Sequence, residues 1–524
     1  MKLFLVGVGL AAAVALSGPA PAADLRLGYA QAPTSIDPHF HNSGTNTAFA
    51  LNVFDPLIRR DDKLQLQPAL ATSWTAISET EWEIKLRQGV TFHNGAPFTA
   101  DDVVFTFERL PDVPDSPSSF AFAIDAITEI EAVDDFTLRL TTDGPVPDLP
   151  GNLSYFVIVS DEVGKNATTD DYIRGNAMIG TGPYKFVSSR AGEIYELERN
   201  PDYWAGAEPW QKLTIRVVDS GPARVAALLA GDVDVIERVP ANDVARIKRS
   251  GNATVWSGPT NRVVFIALDV MHEAPLANHA TDKSGQPLQT NPMLDRRVRQ
   301  ALSQAINREA LIDRALGGDG VLTSNLVPEG FFGHNASIPV EPYDPEGARA
   351  LLAEAGYPEG FNMVFHASTD RIAYAADVVQ ALAQLWARIG ITTELQTMPH
   401  AVYIPKANDF AFSHMLHSWG TGSGEAAYTL NGIAVTRDKP NGKGPSNRGR
   451  YSNAQVDEMV AKAQRTLDAE LRRTLLEDAM KVVIEDYAII PLYAQKATWA
   501  TRSDLTYLPQ VSQFTLGSAT RPAK

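Results

Sequence analysis

Residues 82–104 read WEIKLRQGVTFHNGAPFTADDVV and hold a strand, glycine turns and a helix start within one short segment. Apolar and polar residues alternate over 82–87, which is typical of a half-buried strand. Thr99 precedes Asp101 and Asp102, and such a group favours a helix start because a threonine caps the first turn and acidic residues stabilise its positive end. We therefore interpret these two carboxylates as helix-start residues rather than as acid–base groups.

From about residue 210 onward, short apolar strands alternate with helical segments. Helices are predicted over 222–230 and over 295–316, each followed by glycine, and a pair of helices over 453–465 and 468–485. Strand–helix alternation of this kind predicts mainly parallel sheets with helices on both faces, in an α/β fold.

Length, net charge and cysteine content limit the classes of function and of site that this chain can have. A chain of 524 residues exceeds one hydrophobic core, so two or three lobes are expected. The net charge of −16 argues against nucleic acid as a partner. The chain has no cysteine, which excludes disulfides, thiolate metal sites and a lipid-modified cysteine.

The first residues have the pattern of an export signal. Lys2 is followed by an apolar run over 3–16 and by the small residues Ala20 and Ala22. The alternative, a membrane anchor, is disfavoured because a stable span needs about 20 apolar residues. We predict a signal peptide over 1–23 that is cleaved, a mature protein in the periplasm without a lipid anchor, and no membrane-embedded segment.

A search for catalytic motifs predicts no enzyme. The glycines of 420–424 have the wrong spacing for a serine nucleophile elbow, and 442–444 lacks the first glycine and the hydroxyl residue of a phosphate loop. The segment 180–185 lacks the third glycine of a dinucleotide fingerprint. No catalytic residue and no cofactor is predicted.

Two histidine pairs are the candidates for a metal site. His414 and His417 lie in a predicted strand, where residues three apart point to opposite faces. His39 and His41 would share a face, but no third ligand follows close by. We therefore predict no metal site.

The chain resembles the dipeptide- and oligopeptide-binding family, the extracytoplasmic solute-binding proteins of peptide-type ABC transporters. Residues 82–104 match the family signature nearly position for position. The other matching segments are 36–38 (IDP), 71–74 (ATSW), 180–184 (GTGPY), 199–204 (RNPDYW), 295–301 (DRRVRQA), 351–357 (LLAEAGY) and 451–453 (YSN).

The resemblance implies a periplasmic-binding-protein-like clamp of two lobes, with parallel-rich sheets and an extra inserted β-rich domain. It places lobe I at 24–57, 181–267 and 495–524, the inserted domain at 58–180, and lobe II at 268–494. Two lobes joined by crossing strands would close around a ligand by hinge motion. The implied partners are a small solute or short peptide and an inner-membrane permease, with the receptor a monomer.

The segment 417–432 (HSWGTGSGEAAYTLNG) falls where family members line the cleft. In peptide binders a tryptophan, matched here by Trp419, is soon followed by an aspartate that pairs with the peptide α-amine. That aspartate is missing, and Glu425 is the only acid of the segment. Either Glu425 replaces it, or the glycines, with Gly420 and Ser423 among them, present backbone N–H groups to an anion or polar solute. A third interpretation places Trp419 in a core.

Three further positions complete the predicted ligand site. Ala32 occupies a place where family members often have an acid, in a segment that offers backbone groups to the ligand. Asn46 lies in the following loop and could donate side-chain hydrogen bonds. Tyr155 is expected either to face the cleft or to pack in a core.

The predicted function is a receptor that captures a small peptide or peptide-like solute and delivers it to the permease. The alternative within this class is a non-peptide ligand: an opine, a sugar derivative, or a metal or haem complex. A secreted hydrolase is the alternative of a different class.

Overall fold

The computed structural model describes residues 24–274, 276 and 279–523. The predicted signal peptide, 1–23, lies outside the described residues. The strands are β1 Leu25–Tyr29, β2 Ile58–Arg60, β3 Leu66–Pro68, β4 Ala71–Ala76, β5 Glu81–Leu86, β6 Ile127–Asp134, β7 Thr137–Thr142, β8 Tyr184–Arg190, β9 Ile194–Arg199, β10 Lys212–Val217, β11 Val235–Ile236, β12 Ala253–Leu268, β13 Ala280–Thr281, β14 Gly320–Leu322, β15 Asn362–Ser368, β16 Thr392–Met398, β17 His414–Gly420, β18 Ile489–Arg502, β19 Leu505–Tyr507 and β20 Thr520–Pro522.

The helices connect these strands and cover the faces of the sheet. They are α1 Gly44–Val53, α2 Ala100–Arg109, α3 Leu149–Asn152, α4 Asp161–Gly164, α5 Thr169–Ile173, α6 Gly221–Ala230, α7 Ala241–Ser250, α8 Arg296–Gln304, α9 Arg308–Ala315, α10 Pro345–Glu354, α11 Ala375–Ala387, α12 His400–Asn408, α13 Ala426–Ile433, α14 Ala454–Ala463 and α15 Ala469–Glu485. Among the described helices, none is long and apolar enough to cross a membrane.

One twelve-stranded sheet runs through the molecule. Its order is β13-β15-β17-β12-β18-β11-β1-β10-β9-β8, with β16 beside β15 and β14 beside β18. The long strands β12 and β18 pair with each other from Ala253 to Ala267, with a break in register between Pro259 and Val263. They join a first half of the sheet (β1 and β8–β11) to a second half (β13 and β15–β17). The expected two-lobe α/β architecture with crossing strands is therefore confirmed.

The sheet is mixed rather than parallel throughout. Parallel pairing joins β1 to β10 and β11, and β15 to β16 and β17. Strands β8, β9 and β13 and the crossing strands β12 and β18 have antiparallel partners. The expectation of parallel-rich sheets thus holds only at the centre of each half, because a strand that crosses between the halves and one that returns must run in opposite directions.

Alternate residues of β12 belong to two hydrophobic clusters on opposite faces of the second half. Val264 and Ile266 pack in a cluster with α8–α11, whereas Phe265 and Ala267 pack in one with α12–α15. This is the pattern of a strand covered on both faces by helices. A separate cluster built around Trp82 fills the segment between residues 57 and 158. The domain boundaries given above stay a prediction.

The segment 82–104 lies in that separate cluster. Strands β4, β5, β7 and β6 form a four-stranded antiparallel sheet, and α2 packs beside it. The Asp102 carboxylate accepts hydrogen bonds from the backbone N–H groups of Thr99 and Asp161, both at 2.9 Å. Burial raises the pKa of Asp102 to about 6. The helix-start interpretation of this residue is confirmed.

The single helix predicted over 295–316 is wrong. Two helices, α8 and α9, replace it, and the Asn307 side chain caps α9 by accepting a hydrogen bond from the Ala310 N–H at 2.9 Å. Asparagine favours a cap over a helix interior because its side chain competes for backbone groups.

We expect Gly180→Ala to lower the free energy of unfolding by about 1–3 kcal/mol. A Cβ at this position would lie 2.0 Å from the carbonyl oxygen of Val53, at the end of α1, and this backbone atom cannot rotate away. Gly144→Ala is the matched control, since its Cβ would meet nothing within 4 Å. Urea denaturation followed by circular dichroism measures both, and equal stabilities would contradict the packing argument.

Candidate ligand-binding cleft

A cavity of about 300 Å³ lies beside Trp419. Its walls come from the crossing strand β12, the end of β15, α12, β17, α13 and the loop before α14. The lining residues are Arg262, Ser368, Arg371, Ile372, His400, Tyr403, Ile404, Leu416, His417, Ser418, Trp419, Gly420, Tyr428 and Arg448. The volume is at the lower end of the range for small-molecule sites, about 300–1,000 Å³.

Strand pairing brings the carboxyl end of β17 against β12. Gly420 is directly opposite Arg262, and Trp419 is opposite Val263. A Cβ at Gly420 would lie 2.9 Å from Arg262 Nη2, so the glycine leaves room for the guanidinium. The predicted residues Trp419 and Gly420 therefore meet in the cavity wall.

Trp419 is partly buried, and its indole packs against α13. The ring centroids of Trp419 and Tyr428 are 5.5 Å apart, and a Cβ at Gly432 would lie 2.7 Å from Trp419 Cζ2. The indole Nε1 is buried without a hydrogen-bond partner in the described part of the chain.

Three guanidinium groups line the cavity. Arg262 donates from Nη1 to Ser418 Oγ at 3.2 Å, and Arg448 donates from Nε to Asn408 Oδ1 at 2.9 Å. Arg371 is exposed at the rim. Burial, with the neighbouring charge of Arg371, lowers the pKa of Arg262 to about 10. Guanidinium groups carry a delocalised positive charge in proteins.

Two imidazoles lie beside these guanidiniums. His417 is buried, and burial with the charges of Arg448 and His400 holds its pKa well below the usual value. The pKa of His400 is lowered by burial and by the charge of Arg371. His417 Nε2 and His400 Nδ1 are both buried without a hydrogen-bond partner among residues 24–274, 276 and 279–523.

Glu425 lies outside this cavity and already has a cationic partner. Both of its carboxylate oxygens accept hydrogen bonds from the Arg472 guanidinium, with a distance of 3.0 Å for Nη1 to Oε1. The Arg472 side chain is only 6% exposed. A second carboxyl, that of Asp148, lies within hydrogen-bonding reach of Glu425.

The rest of the glycine segment, which we define as residues 420–424, faces the β-rich segment between residues 57 and 158. Ser423 is buried, and its carbonyl oxygen accepts a hydrogen bond from Arg60 Nη1 at 2.8 Å. The Arg60 guanidinium lies 5.7 Å from the centre of the Tyr155 ring. The Tyr155 hydroxyl is 3.4 Å from the Cβ position of Gly422. Ser423 and Tyr155 thus both lie at the glycine segment, and neither lines the cavity.

The predicted residues near the start of the chain are placed apart from the cavity. Asn46 is buried, and it donates to the Ser35 carbonyl at 2.9 Å while accepting from Ser43 Oγ at 2.8 Å and from the Thr34 N–H at 3.2 Å. These bonds brace the loop after β1. Ala32 lies in the same loop and is partly buried.

The histidines of the two candidate metal pairs have separate surroundings. His39 contacts the Val157 carbonyl and Arg109, and His41 contacts Thr34 Oγ1. In the described residues there is no group of three or more His, Asp or Glu side chains that could hold a metal ion.

Residues 65–441, more than half of the chain, match the model of the bacterial extracellular solute-binding proteins, family 5. The chain belongs to this family.

Relatives extend the similarity over most of the chain. A haem-binding protein A of Haemophilus influenzae is 28% identical, with 88% of this chain and 85% of the relative covered. A glutathione-binding protein of Pectobacterium atrosepticum is 27% identical, with 96% and 95% covered. A dipeptide-binding protein of Pseudoalteromonas, solved with Met-Leu, superimposes with a TM-score of 0.70 at 22% identity, with 95% and 100% covered.

Family membership confirms the expected class of function. The protein is a solute-binding receptor of a peptide-type ABC importer, and the members of its family are binding proteins.

Sequence reasoning did not assign the three arginines and two histidines of the cavity to the ligand site, although it considered His417 as a metal ligand. Arg262, Arg371 and Arg448 lie at least 77 residues apart in sequence and belong to no motif. The one local signal was Gly420, because a glycine often indicates that another group approaches the backbone closely. It does not indicate which residue that group belongs to.

We expect Asp148→Asn to stabilise the protein at pH 8 and to lose this advantage near pH 4. Burial, with the nearby Glu425 charge, raises the pKa of Asp148 to about 8 from an ordinary value of 3.8. The folded state therefore holds a proton that the unfolded state releases, and stability falls as the pH rises between these values. Urea denaturation at pH 4, 6 and 8 measures the difference between variant and parent.

Asp161→Asn is the control for that prediction, since its carboxylate is partly exposed and pairs with the exposed Lys165. A pH-independent difference between Asp148→Asn and the parent protein would contradict the assignment of a protonated Asp148.

Proposed function

We propose that the protein captures a small peptide or peptide-like solute in the cavity beside Trp419 and delivers it unchanged to an inner-membrane ABC permease. The observation that carries this proposal is the cavity itself, because it adjoins the strand that crosses between the two halves of the sheet. A solute held there would contact β12 and β17 together, and binding can favour one arrangement of the halves over another.

The neighbouring contacts support a ligand site at this place. Arg60 and Tyr155 approach the glycine segment from one side, and the cavity opens beside its first residue, Gly420. Segments from three distant parts of the chain therefore meet within a few residues of Trp419. Binding sites of small molecules favour such junctions between structural units.

The geometry supports the proposed roles of the predicted ligand residues to different degrees. Trp419 and Gly420 line the cavity. Ser423, Glu425 and Tyr155 are proposed to act around the glycine segment, and Ala32 and Asn46 to shape the loop after β1. Since Glu425 is paired with Arg472, the proposal that it replaces the amine-binding aspartate has less support than the alternative of a solute without a free amine at that position.

A non-peptide ligand is the second candidate. The similarity to a haem-binding protein A supports it, as the similarity to a glutathione-binding protein supports the peptide-like candidate. We further propose export to the periplasm with a cleaved signal peptide and no lipid anchor, the three-part domain division given above, a monomeric state, and the absence of catalysis.

Mass spectrometry of small molecules released from gently purified and then denatured protein tests the function. We expect a defined solute in about stoichiometric amount, recovered chemically unchanged when it is added back and incubated. No co-purifying solute, together with no change in solution scattering across a library of peptides and metabolites, would contradict solute capture. A turnover product would support the hydrolase instead.

A further inference from the structure

The β-rich segment between residues 57 and 158 contacts the second half of the sheet at the glycine segment. Arg60 Nη1 donates hydrogen bonds to the carbonyl oxygens of Leu64 at 3.1 Å and of Ser423 at 2.8 Å. Its Nη2 donates to the Gly151 carbonyl at 3.2 Å. One guanidinium therefore ties two parts of the β-rich segment to the loop that follows β17.

Close backbone packing at Gly424 is part of the same contact. A Cβ at this glycine would lie 3.2 Å from the Leu64 carbonyl oxygen and 3.3 Å from Arg60 Nη1. The Leu64 side chain packs in the cluster with α12–α15, and Gln65 Nε2 donates to the Gly330 carbonyl at 3.2 Å. Two parts of the molecule with separate hydrophobic clusters thus meet here, and several of the contacts between them are polar.

Two carboxyl groups lie across this contact. Asp148 comes just before α3 and belongs to the β-rich segment, whereas Glu425 comes just before α13. The Asp148 carboxyl is partly buried and within hydrogen-bonding reach of the Glu425 carboxylate, which also accepts from Arg472. Because ionised carboxylates can only accept hydrogen bonds, a bond between these two groups requires a proton on one of them.

Four charged or titratable side chains face Asp148. They are Glu425, Arg472 on α15, Arg60 on β2 and Tyr155 in the loop after α3. Burial and the Glu425 charge raise the pKa of Asp148 to about 8, and they outweigh the opposing effect of the two guanidinium groups. Burial also holds the pKa of the Tyr155 phenol above its usual value, so the phenol stays neutral in the same range. The proton between the carboxyls is therefore retained at neutral pH and lost in mildly alkaline solution.

We propose that the proton shared by Asp148 and Glu425 holds the β-rich segment against the second half of the sheet, and that losing it loosens this contact. Separation of the two parts would bring Asp148 into water, where the pKa of its carboxyl returns toward 3.8. Formation of the contact then takes up a proton. The contact is therefore most favourable below about pH 4 and weakens as the pH rises toward about 8.

This inference rests on the hinge motion of the proposed receptor and not on the identity of its solute. The glycine segment begins at Gly420, in the wall of the cavity beside Trp419. A looser contact lets the glycine segment move away from the β-rich segment. Alkaline solution is thus expected to favour a more open arrangement of the two parts.

Distances between two spin labels, measured by pulsed electron paramagnetic resonance, test the proposal. One label is attached at Glu129→Cys on β6 and the other at Lys481→Cys on α15, and both positions are exposed. Because the chain has no cysteine of its own, only these two sites are labelled. Without any added solute, we expect one distance at pH 5 and additional, longer distances at pH 8.5.

Variants connect the distance change to the carboxyl pair. Asp148→Asn should keep the pH 5 distance at pH 8.5, since a carboxamide can donate a hydrogen bond to Glu425 at any pH. Asp161→Asn removes a partly exposed carboxylate that pairs with Lys165, and it should respond to pH as the parent does. If circular dichroism shows that Asp148→Asn does not fold, Glu425→Gln replaces it. That variant should also lose the response, because Asp148 then has no neighbouring carboxylate and ionises at lower pH.

Infrared difference spectroscopy at pH 6 detects the proton itself. The parent should show the carbonyl band of a protonated carboxyl, and Asp148→Asn should lack that band. Equal distances at both pH values in the parent would overturn the proposal, as would an unchanged pH response in Asp148→Asn or the absence of the band from the parent. Since the labels report without a solute, each of these failures would leave solute capture intact.

Discussion

Arg472→Met is expected to lower the free energy of unfolding by about 3 kcal/mol, since breaking a buried ion pair from one side leaves a charge without compensation. The Arg472 side chain is 6% exposed and that of Glu425 is 16% exposed, so water screens the pair poorly. Methionine keeps most of the apolar stem but also removes the guanidinium carbon that lies 4.9 Å from the centre of the Phe332 ring. Urea denaturation followed by circular dichroism measures the loss.

The residues around Glu425 explain why no other cation would replace Arg472 as its partner. The other nearby cation, Arg60, donates to the carbonyl oxygens of Leu64, Ser423 and Gly151 at 2.8–3.2 Å. Asp148 adds a second carboxyl beside Glu425. Without Arg472, two acidic groups and one committed guanidinium remain.

Two variants serve as comparisons. Arg473→Met changes the next residue, whose guanidinium is 3.9 Å from Glu470 and 4.7 Å from the centre of the same Phe332 ring. Because this side chain is 44% exposed, the change should alter stability by less than about 1 kcal/mol. Glu425→Gln should cost less than Arg472→Met, because Asp148 can then ionise and pair with Arg472. Equal stabilities of Arg472→Met and Arg473→Met would show that the buried pair contributes nothing.

Trp419→Ala is expected to reduce affinity for the solute recovered from the protein by about a hundredfold, as expected for a buried aromatic contact residue. The substitution removes the cavity wall that packs on Tyr428 and the indole N–H that lacks a partner. Trp419→Phe keeps an aromatic face and removes only the donor. We expect it to lose no more than about tenfold, the value of one hydrogen bond.

Calorimetry with the recovered solute measures both changes. Trp74→Ala is the matched control, because Trp74 is also partly buried but lies on β4, away from the cavity. A folded Trp419→Ala protein with unchanged affinity would place the solute elsewhere in the cleft. Equal affinities of Trp419→Phe and the parent would assign the indole a packing role only.

Local patterns predicted much of the fold. The capping group at Thr99 and Asp102 and the glycine that ends α6 at Gly231 follow from short-range chemistry, and the structure has both. The break between α8 and α9 was missed, although Asn307 was a signal for it. The antiparallel crossing strands could not be derived from alternation alone, since the pairing of β12 with β18 joins segments more than two hundred residues apart.

The site was less predictable than the fold, because its chemistry depends on contacts distant in sequence. Trp419 and Gly420 were found, since glycines beside an aromatic residue stand out locally. The side chain of Asn46 looked available as a ligand donor, yet Thr34, Ser35 and Ser43 occupy its hydrogen bonds. No residue near Glu425 in sequence predicts its ion pair with Arg472, which lies 47 residues further on.

The pairing of β18 also governs when the molecule can become native during synthesis. This strand contacts β11, β12 and β14, so the adjoining strand edges have no neighbour until residues 489–502 have been made. Unpaired edges are templates for aggregation, and sheets closed by distant segments form slowly. The central sheet of a nascent chain therefore stays incomplete for nearly the entire translation of this protein.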